Sequence, residues 1–306
     1  MAALSTGRAF HRPCYPLAAS ISSPYISRRY HAGTAAAPLL AGKRALVTGG
    51  TSGIGLGVAR AFMEHGADVA VTHFSGADAV RADDLSAYAN QLGRRCLSVR
   101  ADVSDPVDVD RLITTVEDGF GRIDILVNNA GQFNLTVDGA NEHKGKAGAW
   151  GTPVHEMSVA AWDQLIAVNL RSIFLVTRRV LPAMLERADG GRIINTASEL
   201  AIKGGPNCAA YAAAKAGVIT FTRCLAQEIG DKNVTVNVVA PGLTHTPMTE
   251  PMMLQAKEAA KTGAFGPRNQ VGEVDDIVPA FLFLASPGAR HMLGQTMCLS
   301  GGEVFV

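Results

Sequence analysis

The chain has 306 residues, of which 47% are hydrophobic and 18% charged, with a formal net charge of +1. That composition supplies a packed core, and near-zero charge with sparse aromatics gives no footprint for nucleic acid. No uninterrupted apolar run reaches the ~18 residues of a membrane span. The five cysteines form neither a CxxC pair nor a His/Cys cluster, which points to a reducing compartment without structural disulfides or bound metal.

The first forty residues have a different texture from the rest. Arg8, Arg12, Arg28 and Arg29 are basic, serine is frequent, and the first acidic residue is Glu64. An Arg-rich, Ser-rich, acid-free segment has the composition of an organellar transit peptide. The run "ISRRYHAG" places an arginine two residues before Tyr30, with cleavage expected after it. The expected organisation is a mitochondrial-type transit peptide over 1–30, a linker over 31–42 and one folded domain over 43–306. The expected location is the mitochondrial matrix, or the cytoplasm if the segment is not a transit peptide.

From Lys43 onward, strands and helices alternate. "KRALVTGG" is a short apolar run ending in glycines, as in a buried parallel strand. Residues 54–65 keep helical apolar spacing, and "ADVAVTHF" is the second strand. A helix over 80–92, the strand "RCLSVRAD" and a proline-started helix over 106–120 follow. "IDILVNNAG" is the fourth strand. Residues 132–153 are polar, glycine-rich and aperiodic, an insertion loop rather than a domain boundary. One long helix is expected over 162–184, then the strand "GRIINTAS", a helix over 210–229 and the strand "VTVNVVAPG". A helix over 274–285 and the strand "QTMCLSGG" close the chain. This order predicts an α/β fold, a single doubly wound, Rossmann-type parallel sheet with helices on both faces.

Two stretches carry chemistry. "TGGTSGIG", residues 48–55, joins the first strand to the first helix. Glycines there let the backbone approach a pyrophosphate, and the helix N-terminus offers it N–H groups and positive potential. "YAAAK" places Tyr211 and Lys215 at i and i+4, on one helix face. A phenol titrates near pH 10, and a neighbouring ammonium favours the phenolate, so the pair suits proton transfer.

The spacing Gly-x-x-x-Gly-x-Gly, together with "ADV" at 101–103, "NNAG" at 128–131, "VNL" at 168–170, Ser198, "YAAAK" and "APGLTHT" at 240–246, resembles the short-chain dehydrogenase/reductase family from Lys43 to Gly302. The resemblance implies hydride transfer between a nicotinamide and a carbonyl or alcohol carbon, with catalytic residues Asn169, Ser198, Tyr211 and Lys215. Tyr211 would be the general acid/base, Ser198 would hold the substrate oxygen, Asn169 would hold a water, and Lys215 would bind the nicotinamide ribose. The implied cofactor cradle is Gly49, Thr51, Ser52, Gly53, Ile54 and Gly55. Asp102 and Val103 would take the adenine. Asn129, Ala130, Gly131, Pro241, Gly242, Thr244 and Thr246 would line the rest, with Tyr211 and Lys215.

Sites that prefer NAD(H) carry an acid at the end of the second strand for the ribose 2′-hydroxyl. His73 stands there instead, and Thr72, His73, Ser75 and Ser52 are candidate phosphate ligands. NADP(H) is therefore the expected cofactor, with NAD(H) as the alternative. Substrate is less legible. The sequence is similar to 3-oxoacyl-carrier-protein reductases, which implies an acidic acyl-carrier protein as partner. Lys232 matches a basic docking position, whereas Asp189 occupies one where an arginine is expected. The alternatives are a polyol or sugar reductase or dehydrogenase, and a non-catalytic nucleotide-binding subunit. The resemblance also implies a homotetramer assembled through the helices over 162–184 and 210–229 and the C-terminal strand; the lack of a long apolar run leads to the expectation of no membrane insertion.

Overall fold

The computed structural model describes residues 38–74, 77–133, 136–137, 140–141, 151–263 and 265–306. The first half alternates β1 (Arg44–Val47), α1 (Gly53–Glu64), β2 (Asp68–His73), α2 (Ala77–Gln91), β3 (Cys96–Arg100), α3 (Pro106–Phe120) and β4 (Ile125–Asn128). A small hairpin, β5 (Thr136–Val137) and β6 (Ala140–Asn141), falls within the expected insertion. After it come α4 (Val159–Ile166), α5 (Ser172–Leu185), β7 (Gly191–Thr196), α6 (Leu200–Lys203), α7 (Ala209–Glu228), β8 (Val234–Pro241), α8 (Glu250–Lys261), α9 (Val274–Ala285) and β9 (Thr296–Leu299).

Seven of these strands make one parallel sheet in the order β3-β2-β1-β4-β7-β8-β9. Side chains alternate across a strand, and β1 shows the consequence. Ala45 and Val47 pack with Phe62 of α1 and Phe281 of α9, while Leu46 packs with Leu112 of α3 and Val180 of α5. Both faces are covered, so β8 is buried along its whole length, as parallel sheets require. Strand order reverses between β1 and β4, and the carboxyl ends of the strands open a crevice at that switch point.

Two features differ from the sequence expectation. The compact unit begins at Pro38. Leu40 is 1% exposed and its N–H bonds His65 O at 2.9 Å. Residues 38–42 are therefore part of the fold rather than of a linker, because the turn into β1 caps the end of α1. The helix expected over 162–184 is two helices joined by a π-turn at Ala167–Arg171. A π-turn adds a residue to the helical cycle and re-aims the side chain it carries, here Asn169. The 27-residue stretch Val159–Leu185 is long and apolar enough to cross a membrane by length and composition. Its inner face, through Leu165, Ile173, Val176 and Val180, is spent on the protein core. Residues 1–37, Ser75 and much of 132–153 lie outside the described residues.

Candidate functional site

The crevice at the switch point is lined by Gly49, Ser52, Gly53, Ile54, Asn129, Ala130, Gly131, Asn169, Ser198, Tyr211, Lys215, Pro241, Gly242, Thr244 and Thr246. Fifteen positions spread over two hundred residues of sequence thus meet in one cleft. Thr51 and Gly55 support the glycine loop from behind: Thr51 is buried and Gly55 packs against the Gly49 carbonyl. Val103 is buried, while Asp102 lines a separate recess at the end of β3 with Phe74, Arg100, Asp108 and Arg111.

The glycine loop is tied to the sheet by Thr48. Its hydroxyl accepts from the N–H groups of Asn129 and Ala130, each at 3.0 Å. Asn129 Nδ2 returns a bond to Thr48 O at 3.2 Å. One strand further, Asn128 Nδ2 donates to Asn195 Oδ1 at 2.8 Å and to Thr177 Oγ1 at 3.1 Å. Ser52 is the N-cap of α1, but its side chain makes no capping bond and the first turn carries no acid. By contrast, Asp105 caps α3 with two side-chain bonds. The positive end of α1 therefore faces the cleft with its orphan N–H groups unspent. Gly53, at φ +51°, turns the backbone there without a side chain. A nucleotide pyrophosphate fits this cradle of open N–H groups and absent side chains.

Asn169 is fully buried. Its Oδ1 accepts from Gln132 N at 3.1 Å, and its Nδ2 donates to Gln132 O at 2.8 Å and Leu165 O at 3.0 Å. These side-chain bonds pin the chain leaving β4 to the π-turn. That anchor sets Phe133 edge-on to Tyr211, with ring centroids 4.8 Å apart.

Lys215 is 3% exposed and donates to Thr196 O at 2.9 Å, and its ammonium stands 5.7 Å from the Tyr211 ring centroid. The expected depression of the tyrosine does not appear. Burial pushes the Tyr211 phenol up to about 12, against the opposing hydrogen bond from Ser198. Burial likewise pulls Lys215 down to about 8. Desolvation disfavours both charged forms, and the ammonium spends its bond on a carbonyl rather than on the phenol oxygen.

The Lys215 shift has a stability consequence. Between pH 8 and 10.5 the unfolded lysine holds a proton that the folded one has released, so folding gains stability as pH rises through that window. The burden is fully present below pH 8. The stability gap between wild type and Lys215→Met, measured by urea unfolding without cofactor, should move in favour of wild type by about 2–3 kcal/mol from pH 7.5 to pH 10. A gap that stays constant would show that Lys215 titrates normally.

Glu199 escaped the sequence analysis. It is 5% exposed, its N–H bonds Pro241 O at 2.9 Å, and one carboxylate oxygen pairs with Lys203 at 3.1 Å. Lys203 also pairs with Glu303 of the C-terminal segment. Burial raises Glu199, and its charge in turn raises Tyr211. The i,i+4 spacing of Glu199 and Lys203 was visible in the sequence, but their burial was not. Pro247 and Met248 line the cleft, whereas Met252 and Met253 are buried within α8. Thr72 is also buried, its hydroxyl accepting from Gly49 N at 2.9 Å, so it is not available to a phosphate.

A family model described as enoyl-(acyl carrier protein) reductase matches residues 49–303. The chain is 41% identical over 261 residues to a subunit of (2S)-[(R)-hydroxy(phenyl)methyl]succinyl-CoA dehydrogenase from Thauera aromatica, covering 85% of this chain and 95% of the relative. It is 37% identical over 267 residues to the 3-oxoacyl-[acyl-carrier-protein] reductase FabG of Vibrio cholerae, covering 87% and 99%. Among solved structures, a short chain dehydrogenase from Burkholderia cenocepacia in complex with NADP superposes with a TM-score of 0.73 at 34% identity, covering 86% and 98%.

Proposed function

The chain belongs to the short-chain dehydrogenase/reductase family, and from that premise we propose that it is an NADP(H)-dependent oxidoreductase interconverting a 3-oxoacyl thioester and its 3-hydroxy form. The observation that carries the reading is the convergence of Ser198, Tyr211 and Lys215 in one cleft beneath an open helix N-terminus. Bound with its ribose toward Lys215, the nicotinamide would supply hydride to the carbonyl carbon. Ser198 holds the carbonyl oxygen by its hydroxyl. Tyr211, kept neutral by burial, gives that oxygen its proton as negative charge develops. Lys215 orients the ribose, and its ammonium, once drawn to the phenol oxygen, favours loss of the proton. Asn169 acts as a positioning residue through Gln132.

The substrate class draws support from two relatives whose names specify thioesters, one of coenzyme A and one of acyl-carrier protein. One observation favours the coenzyme A form. Asp189 stands at the expected docking arginine, and it is held by Arg122 at 2.5 Å and Arg187 at 3.6 Å. Those arginines are committed internally, which leaves less positive surface for an acidic carrier protein. NADP(H) over NAD(H) is supported by the missing acid at the end of β2. A mitochondrial location is supported by the composition of residues 1–30. A reporter fused to residues 1–42 that stays in the cytoplasm would remove it. A homotetramer is supported by exposed Val159, Trp162 and Phe174 on α4 and α5, and a monomeric mass in solution would remove that.

Protein expressed from His31 should oxidise NADPH with acetoacetyl-CoA, and Tyr211→Phe should serve as the blank. Turnover with sugar or polyol ketones but not with the thioester would replace the substrate class and keep the chemistry. Binding of NADPH with no turnover on any carbonyl would favour a non-catalytic subunit.

A further inference from the structure

We infer that Arg100, at the end of β3, is the cation that recognises a 2′-phosphate on the adenosine ribose, in place of any residue on β2. The inference rests on the NADP(H) reading above.

Position is the first argument. β2 and β3 run parallel with His73 in register with Arg100. Residues paired in a parallel ladder point to the same side, and neighbouring strands lie about 4.8 Å apart. His73 Nδ1 contacts Ser98 Oγ at 3.0 Å, which fixes that shared side, since Ser98 and Arg100 are two residues apart on one strand. Arg100 therefore stands one strand over from the position where an acid would read a 2′-hydroxyl.

Availability is the second. The Arg100 side chain is exposed, and its Nε donates to Phe74 O at 3.3 Å. Among the described residues no carboxylate lies within 4 Å of its guanidinium, and its two terminal nitrogens have no partner. The other charges in the same recess each have a protein partner. Arg111 pairs with Asp108 Oδ1 at 2.7 Å and donates to Arg100 O at 3.0 Å. Asp108 Oδ2 accepts from Asp102 N at 2.8 Å. Asp102 Oδ1 accepts from Ser104 N at 2.9 Å and Ser104 Oγ at 2.7 Å. One planar cation with two unspent edge nitrogens thus remains beside Asp102, the expected adenine contact. A guanidinium fork matches a phosphate by two parallel N–H···O bonds.

The test compares adenosine 2′,5′-bisphosphate with AMP, which differ only in the 2′-phosphate, by calorimetric titration of the full-length protein. Wild type should bind the bisphosphate more tightly. Arg100→Ala should weaken the bisphosphate by about 10- to 100-fold, the scale of a lost charge-assisted bond, and leave AMP unchanged. The AMP titration reports whether the variant folds. Arg100→Lys should fall between the two. If Arg100→Ala still discriminates fully, the inference is overturned and the NADP(H) reading stands. If wild type itself does not discriminate, the NADP(H) reading fails and the inference falls with it. Equal loss of both ligands would mean that Arg100 supports the recess as a whole, which also overturns the inference.

Discussion

Tyr211→Phe should lower turnover by about 10²- to 10⁴-fold while leaving NADPH binding intact, which is the range for removal of a positioned general acid. The substitution deletes one oxygen from a side chain held by Phe133 on its ring face and by Ser198 at its hydroxyl. The ring stays, so packing is kept and only the proton is lost. Reduction needs a phenol that is neutral at the start, and burial supplies that, with the pKa held up to about 12. The reverse reaction needs the phenolate, so the oxidation rate should climb with pH more steeply than reduction. Stopped-flow traces of NADPH oxidation and fluorescence titration of NADPH, run on the same preparation, separate chemistry from binding. Full turnover in the variant would remove Tyr211 from the mechanism. Loss of binding along with turnover would recast it as a cofactor contact.

Gly55→Ala should act on the other half of the cleft and weaken nucleotide binding by about 10- to 100-fold, the equivalent of the 1–3 kcal/mol that overpacking typically costs. A methyl group at Gly55 would sit 2.2 Å from the Gly49 carbonyl oxygen and 2.5 Å from Asn129 Nδ2. Neither neighbour can retreat cheaply. Gly49 is fixed by its bond to Thr72, and Asn129 by its bonds to Thr48. The loop must therefore open, and with it the array of N–H groups at the start of α1. Direct titration of NADPH measures this, with circular dichroism checking that the sheet survives. Binding at wild-type strength would show that the loop has slack and that the cradle is set by Gly49 and Gly53 alone.

Much of this was written in local patterns. Each strand of the parallel sheet was legible, the inner ones because they are buried on both faces, and a run such as "ILVN" has few other uses. The helices of the first half kept their 3.6-residue spacing because one side of each packs on the sheet. Glycines at 49, 53 and 55 were legible because only a backbone turn requires them at that spacing. The pair Tyr211 and Lys215 was legible because helical geometry alone puts i and i+4 on one face.

What the tertiary structure decided lay in the environments of those groups. The sequence placed Lys215 beside Tyr211, but only burial determined that both titrate away from charge, and only the Thr196 carbonyl determined where the ammonium points. Asn169 read as a helical residue whose amide partners lay outside the local pattern. The π-turn and the Gln132 backbone, thirty-seven residues away, use that amide up. Glu199 carried no sequence signal of its own and is buried beneath the Pro241–Gly242 turn. Arg100 sits twenty-seven residues from His73 in the chain and beside it in the sheet. Local spacing fixes which residues share an element, since the backbone repeat is short. Desolvation, hydrogen-bond partners and cross-strand neighbours come from distant segments, and those set the charge and reach of each group in the cleft.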